Sequence, residues 1–125
     1  MIRILATCAA LLMAQTATAH DNHKHDSKGP NGGVLAEAGD YHLELLTKGN
    51  AIEVHVLDHD NKPVPTTGYK GLAILSVQGK SQRITLEPAA QSQLVGKAET
   101  TLPGTVKGVV RLTPPNGKAV QAKFD

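Results

Sequence analysis

The sequence predicts an all-β protein, a single antiparallel β-sandwich of about seven or eight short strands behind a disordered, histidine-rich N-terminal arm. Three observations carry this. From Val34 onward the apolar residues come in short or alternating runs, none with a sustained 3.6-residue period. Between the runs stand Gly, Asn, Asp and Pro, the residues that tight turns require. Short strands at this spacing suit two packed sheets whose side chains alternate inward and outward.

The first element is a removable one. Met1-Ile2-Arg3 gives a basic start, Ile4 to Ala14 an apolar run, and Ala17-Thr18-Ala19 a small-x-small cleavage pattern. Residues 1–19 therefore read as a secretory signal cleaved after Ala19, and the expected location is the periplasm. The apolar run is about half of the roughly 20 residues that span a bilayer, so no membrane insertion is expected after cleavage. Leu5-Ala6-Thr7-Cys8 has the look of a lipoprotein-processing box, but it stands too early, with almost no apolar segment before it.

Taking residues 1–19 from the 125 leaves 106, enough for one domain with a thin core, since Tyr41, Tyr69 and Phe124 are the only aromatic residues. The same cut removes Met1, Cys8 and Met13, and with them all sulfur. That excludes structural disulfides, thiolate zinc sites and methionine-lined copper(I) sites. With Arg3 gone, the 13 basic and 11 acidic residues become 12 and 11, a formal charge of +1. Such a balance gives no reason to expect nucleic acid or an anionic membrane as a partner.

The second element is the arm, residues 20–33. It contains His, Asp, Asn, Lys, Ser, Gly and Pro and no apolar residue, so nothing in it offsets the entropy of ordering, and a mobile segment is expected. Its start, His20-Asp21-Asn22-His23-Lys24-His25-Asp26, puts three imidazoles within six residues beside carboxylates. Neutral imidazole is the commonest protein ligand for zinc, copper(II) and nickel. Cleavage after Ala19 would also give His20 a free α-amine that chelates together with its ring, an arrangement that favours copper(II) and weakens in acid. The amino-terminal copper and nickel motif with histidine in third place is absent, because the third residue is Asn22. The plainer alternative is a polar, soluble exported tail.

The remaining element is the domain, residues 34–125. Strands are expected near Val34–Ala38, Tyr41–Thr47, Ala51–Leu57, Gly71–Val77, Gln82–Glu87, Leu94–Ala98, Val106–Thr113 and Ala119–Phe124, with a helical turn over Pro88–Gln93. Asn116-Gly117 between two alternating runs is the strongest hairpin signal. Ile52, Val54 and Val56 should face the core, as should Val120, Ala122 and Phe124. There is no internal repeat and no second domain.

Parity also singles out an outward face on the second and third strands. With Tyr41, Leu43 and Leu45 inward, His42 and Glu44 face out; with Ile52, Val54 and Val56 inward, so do Glu53 and His55. A turn about Lys48-Gly49 sets His42 opposite His55 and Glu44 opposite Glu53. A turn about Gly49-Asn50 sets Glu44 opposite His55. Either register keeps the parity. Facing glutamates need a cation between them, which a metal, Lys48 or Lys62 would supply. The alternative is an ordinary solvated sheet face. His59, in Asp58-His59-Asp60-Asn61, reads as part of a turn rather than as a ligand.

Taken together, Gly29-Pro30-Asn31-Gly32-Gly33, Gly39-Asp40-Tyr41-His42-Leu43-Glu44-Leu45, and Ile52 to Asp58 with Lys62-Pro63-Val64 resemble a known domain. It is the amino-terminal domain of periplasmic adaptor subunits of heavy-metal efflux pumps of the cobalt-zinc-cadmium type, with its small free-standing exported relatives. The resemblance covers about Gly29 to Pro88. It implies a β-sandwich-like domain that handles zinc, cobalt, cadmium, copper or nickel, with Tyr41, His42 and Glu44 on the shared Tyr-His-x-Glu stretch and an efflux system as partner. Asn31 stands where many relatives have histidine. These 125 residues include no long helical hairpin, so the resemblance is to the binding module alone.

The expected function is thus a periplasmic transition-metal-binding protein serving sequestration or delivery in heavy-metal efflux or resistance. Its candidate ligands are His20, His23, His25, His42, Glu44, Glu53 and His55, and its metal is copper(II) or zinc, with nickel or cobalt as further candidates. The competing expectation is a non-catalytic envelope module that docks on an efflux component, its histidines incidental. No nucleophile-base pair or catalytic motif stands out, so an enzyme is not expected.

Overall fold

A computed structural model describes residues 28–125; the signal segment and His20, His23 and His25 of the arm lie outside them. Eight antiparallel strands form the fold: β1 (Val34–Ala38), β2 (Tyr41–Lys48), β3 (Ala51–Leu57), β4 (Lys70–Val77), β5 (Lys80–Ala89), β6 (Gln93–Lys97), β7 (Lys107–Thr113) and β8 (Val120–Phe124). The order across the sheet is β1-β2-β3-β6-β5-β4-β7-β8. Strands β4, β5 and β6 run as consecutive hairpins, and β7 returns beside β4, which is a Greek key.

The two layers of the sandwich are halves of one nearly closed sheet. β5 is the join: Lys80 to Leu86 pair with β4, while Glu87 to Ala89 pair with β6. At the opposite seam β1 and β8 run alongside each other, Cα atoms within 8 Å, without a hydrogen-bonded ladder. Between the halves lies an aliphatic core that includes Leu43, Ile52, Val54, Val56, Leu75, Leu86, Leu94, Val110, Leu112 and Phe124. The inward residues expected on β3 are fully buried; on β8, Ala122 and Phe124 are buried and Val120 packs at the core's edge.

The turns follow backbone chemistry. Gly39 (φ 56°) and Gly49 (φ 59°) open two-residue loops closing β1–β2 and β2–β3, where a positive φ at the first loop position matches the twist of the strands. Gln78 and Gly79, both at positive φ, close β4–β5. The β7–β8 hairpin is real but wider than Asn116-Gly117 alone suggests. Thr113 is the last residue of β7 and Val120 the first of β8, and the bend is made by Pro114 to Gly117.

Two expectations are corrected. Pro88–Gln93 is not a helical turn: Pro88 and Ala89 continue β5, Ala90 turns the chain at φ 50°, and Gln93 starts β6. The end of the arm is also ordered. Lys28 bridges to Val34, and Gly29 to Gly33 form a turn closed by the Gly32 amide on the Gly29 carbonyl at 3.0 Å and the Gly29 amide on the Gly33 carbonyl at 2.9 Å. This stretch has no apolar side chains to bury. A carboxylate from β2 holds it instead.

Candidate metal-binding face

The β2–β3 pairing is Glu44↔His55, Leu46↔Glu53 and His42↔Leu57, the register set by the Gly49-Asn50 loop. His42, Glu44, Glu53 and His55 all lie on the face of the hairpin away from the core, as parity requires. They do not form one group. The face divides into a covered half around Glu44 and an open half around His42.

Glu44 is fully buried, because the Gly29–Gly33 turn folds over it. Its Oε2 accepts from the Gly33 amide at 2.7 Å and the Asn31 amide at 2.9 Å, and its Oε1 accepts from Asn31 Nδ2 at 2.9 Å. A buried carboxylate needs such donors, and these three groups satisfy it. Its role in this structure is to fasten the turn. Asn31 is one of the fasteners.

His55, opposite Glu44, is 7% exposed. Its Nε2 lies 3.8 Å from Glu53 Oε2, and Lys48 Nζ lies 3.5 Å from Glu53 Oε1. Lys48 is thus a cation beside Glu53, while Glu44 and Glu53 do not face each other. Thr66, fully buried, donates its hydroxyl to the Gln93 carbonyl at 3.0 Å, beside the point where Gln93 pairs with His55.

The open half is built at the end of the sandwich where the β1–β2, β3–β4 and β7–β8 connections meet. His42 Nδ1 lies 2.7 Å from Asn61 Oδ1. A carbonyl oxygen only accepts, so in this contact Nδ1 is the donor, and Nε2 is the ring nitrogen left to face a ligand. That Nε2 is 3.9 Å from Oε1 of Glu37, the cross-strand partner of His42 on β1. The His59 ring meets that of His42 edge to face, centroids 5.7 Å apart, and His59 Nε2 is 3.9 Å from Asp40 Oδ1.

Asn61 is held by its own turn. Asp58 Oδ1 accepts from the Asp60 amide at 2.8 Å and the Lys62 amide at 2.9 Å, and the Asn61 amide donates to the Asp58 carbonyl at 3.0 Å. The Lys62 amide is the main cause that holds the Asp58 carboxyl below its usual 3.8. Asn61 itself sits at φ 59°, a left-handed conformation that Asn tolerates better than most residues.

Next to this cluster opens a cleft of about 490 Å³ lined by Asp40, Tyr41, Tyr69, Pro114, Lys118 and Val120, among others. The Tyr41 and Tyr69 hydroxyls are 3.1 Å apart, their rings edge to face at 6.1 Å. Burial, then the hydrogen bond with Tyr41, pushes the Tyr69 hydroxyl up to about 12.

Sequence parity found His42 but set His59 aside as a turn residue and did not consider Glu37, Asp40 or Asn61. The available signal was pairing: a two-residue turn at Gly39-Asp40 puts Glu37 opposite His42. No comparable rule brings His59 back to His42. Among the described residues, no preformed group of three or more His, Cys, Asp or Glu side chains holds metal-binding geometry, and no helix is long and apolar enough to cross a membrane. Comparison with protein-family models, with curated proteins and with solved structures finds no match.

Proposed function

We propose that this is a periplasmic transition-metal-binding protein, acting in sequestration or delivery, that takes copper(II) or zinc, with nickel and cobalt as further substrates of the same nitrogen and oxygen ligands. One observation carries the reading. Of the chain's six histidines, three stand within the first residues after the expected cleavage site, and the other three lie on the outer side of the β2–β3 hairpin or in the turn that follows it. Imidazole favours these metals over calcium and magnesium, which prefer oxygen.

On this reading His20, His23 and His25 capture the ion, and the folded domain supplies further ligands. Glu44 drops out of the ligand set, since its oxygens are already engaged by Asn31 and Gly33. Glu53 is shared with Lys48 and is the weaker of the remaining candidates. The resemblance over Gly29 to Pro88 adds a heavy-metal efflux system as the proposed recipient.

The test is the melting temperature of the chain beginning at His20, with and without zinc, copper(II) and nickel. A chelator-reversible rise is expected. Replacing His20, His23 and His25 together by alanine separates the arm from the domain.

The unladdered β1–β8 seam favours a second reading, in which the domain docks a partner strand and the histidines are incidental. Partner co-purification that is indifferent to chelator would support it.

A further inference from the structure

We propose that His42 and His59, with Glu37 and Asp40, form the domain's own transition-metal site, and that Asn61 positions the anchoring ligand, His42 Nε2. This rests on the metal-binding reading and assigns it to a ligand set different from His42, Glu44, Glu53 and His55.

Four features argue for it. First, His42 is prepared as a ligand. Metal-bound histidines commonly donate their second ring nitrogen to a carbonyl or carboxylate, which fixes the tautomer. Asn61 Oδ1 at 2.7 Å does this for His42, and Asp58 in turn fixes the loop that carries Asn61.

Second, the spacing suits a shared ion. Two imidazoles bound at the roughly 2.0–2.1 Å typical of zinc have ring centroids about 5–6 Å apart. The His42 and His59 centroids are 5.7 Å apart.

Third, each imidazole has a carboxylate near its Nε2, Glu37 beside His42 and Asp40 beside His59, both at 3.9 Å. Drawn together on one ion, these two nitrogens and two oxygens would complete a four-coordinate set. It suits zinc, cobalt(II) or copper(II) and lacks the soft sulfur that copper(I) prefers.

Fourth, exposure is distributed as closure requires. The His42 side chain is 16% exposed and hydrogen-bonded to Asn61, whereas those of His59, Glu37 and Asp40 are 66%, 88% and 101% exposed and face solvent, where an ion arrives. The covered pair on the same hairpin is the reverse. Glu44 is saturated and does not reach an ion without opening the Gly29–Gly33 turn, and His55 is enclosed.

The experiment titrates zinc and cobalt(II) into the full exported chain and into a parent in which His20, His23 and His25 are alanine. His59→Ala, Asn61→Gly and His55→Ala are each added to that parent. Asn61→Gly keeps the backbone free to hold its positive φ while removing the amide. The parent is expected to keep one site with a visible cobalt(II) spectrum of a four-coordinate ion. His59→Ala should weaken it at least tenfold, and Asn61→Gly about tenfold, with a change of His42 tautomer in its ring-nitrogen NMR shifts. His55→Ala should change affinity less than twofold.

A parent that binds nothing while the full chain binds overturns this site and leaves the arm as the metal-binding element. Loss that follows His55 rather than His59 overturns it as well. A full chain that binds no metal overturns both this site and the function it rests on.

Discussion

Glu44 lies directly across the β2–β3 hairpin from His55, yet its carboxylate turns to Asn31 and Gly33 of the segment folded above it. An acidic residue on the outer face of a sheet is ordinarily solvated. Here it is the post to which the chain's approach to β1 is tied, so the route by which the arm joins the domain depends on one charged group. The consequences are measurable.

Replacing Glu44 by alanine should remove the acceptor for the Gly33 amide and both Asn31 donors, with part of this backbone buried. Lost charged hydrogen bonds and stranded donors together are expected to cost roughly 2–4 kcal/mol. Urea unfolding measures it: the midpoint should fall at unchanged slope. A loss below about 0.5 kcal/mol would mean that the turn is held by something else.

Gly29 tests the same contact from the other side. A Cβ there would fall on the Glu44 carboxyl, so Gly29→Ala should destabilise by about 1–3 kcal/mol through overpacking. At Gly32, with φ 84° and open space around it, alanine meets backbone strain alone, of order 1 kcal/mol. Unfolding curves that rank Gly32→Ala as the more damaging would contradict the packing described.

How much of this was readable from the sequence differs by level. The strands were readable because alternation and turn residues are local: Val34–Ala38 and Ala51–Leu57 fall where expected. Parity gave the outward placement of His42, Glu44, Glu53 and His55, since any register with a buried core preserves it. Exposure was not readable. Whether an outward residue meets water depends on what crosses over it, and Gly29–Gly33 covers Glu44 through polar bonds that leave no hydrophobic trace in the sequence. His59 was lost for a related reason, because its approach to His42 depends on how the Asp58–Asn61 turn folds back. The join of the two layers at β5 was hidden too, since one long strand and two short ones look alike in pattern.

The Tyr41–Tyr69 pair gives an alkaline prediction. A hydroxyl raised from 10 to about 12 favours the neutral, folded form, so its contribution is full below pH 10 and is lost as pH rises through about 12. Tyrosinate absorbance should show Tyr69 ionising near that upper value. Tyr41→Phe should lower it only partly, because burial is the larger cause. A fall all the way to 10 would assign the whole shift to the hydrogen bond.

Asp58 gives the acid counterpart. Its carboxyl is held below 3.8, chiefly by the Lys62 amide, so what it adds to the turn is present above its unfolded value and lost as pH falls through the lower folded one. NMR shifts of the Asp60 and Lys62 amide protons should titrate together with a midpoint under 3.8. A midpoint at or above 3.8 would mean the turn does not hold that carboxylate.

Metal binding should carry its own pH signature. Imidazole ligands must be neutral, and unperturbed histidine titrates near 6.5, so stabilisation by zinc should be present at about pH 7.5 and mostly gone by about pH 5. With free metal at 100 times the dissociation constant, the gain at the higher pH is about 2.7 kcal/mol. A gain that is the same at both pH values would point to carboxylate ligands alone.

The most direct measurement is a calorimetric titration of the chain beginning at His20 with zinc and with copper(II) at neutral pH. Saturable heat with at least one ion per chain is expected, with proton release that follows the buffer's ionisation heat and with loss of the signal in mild acid. No saturable heat with either metal would contradict it.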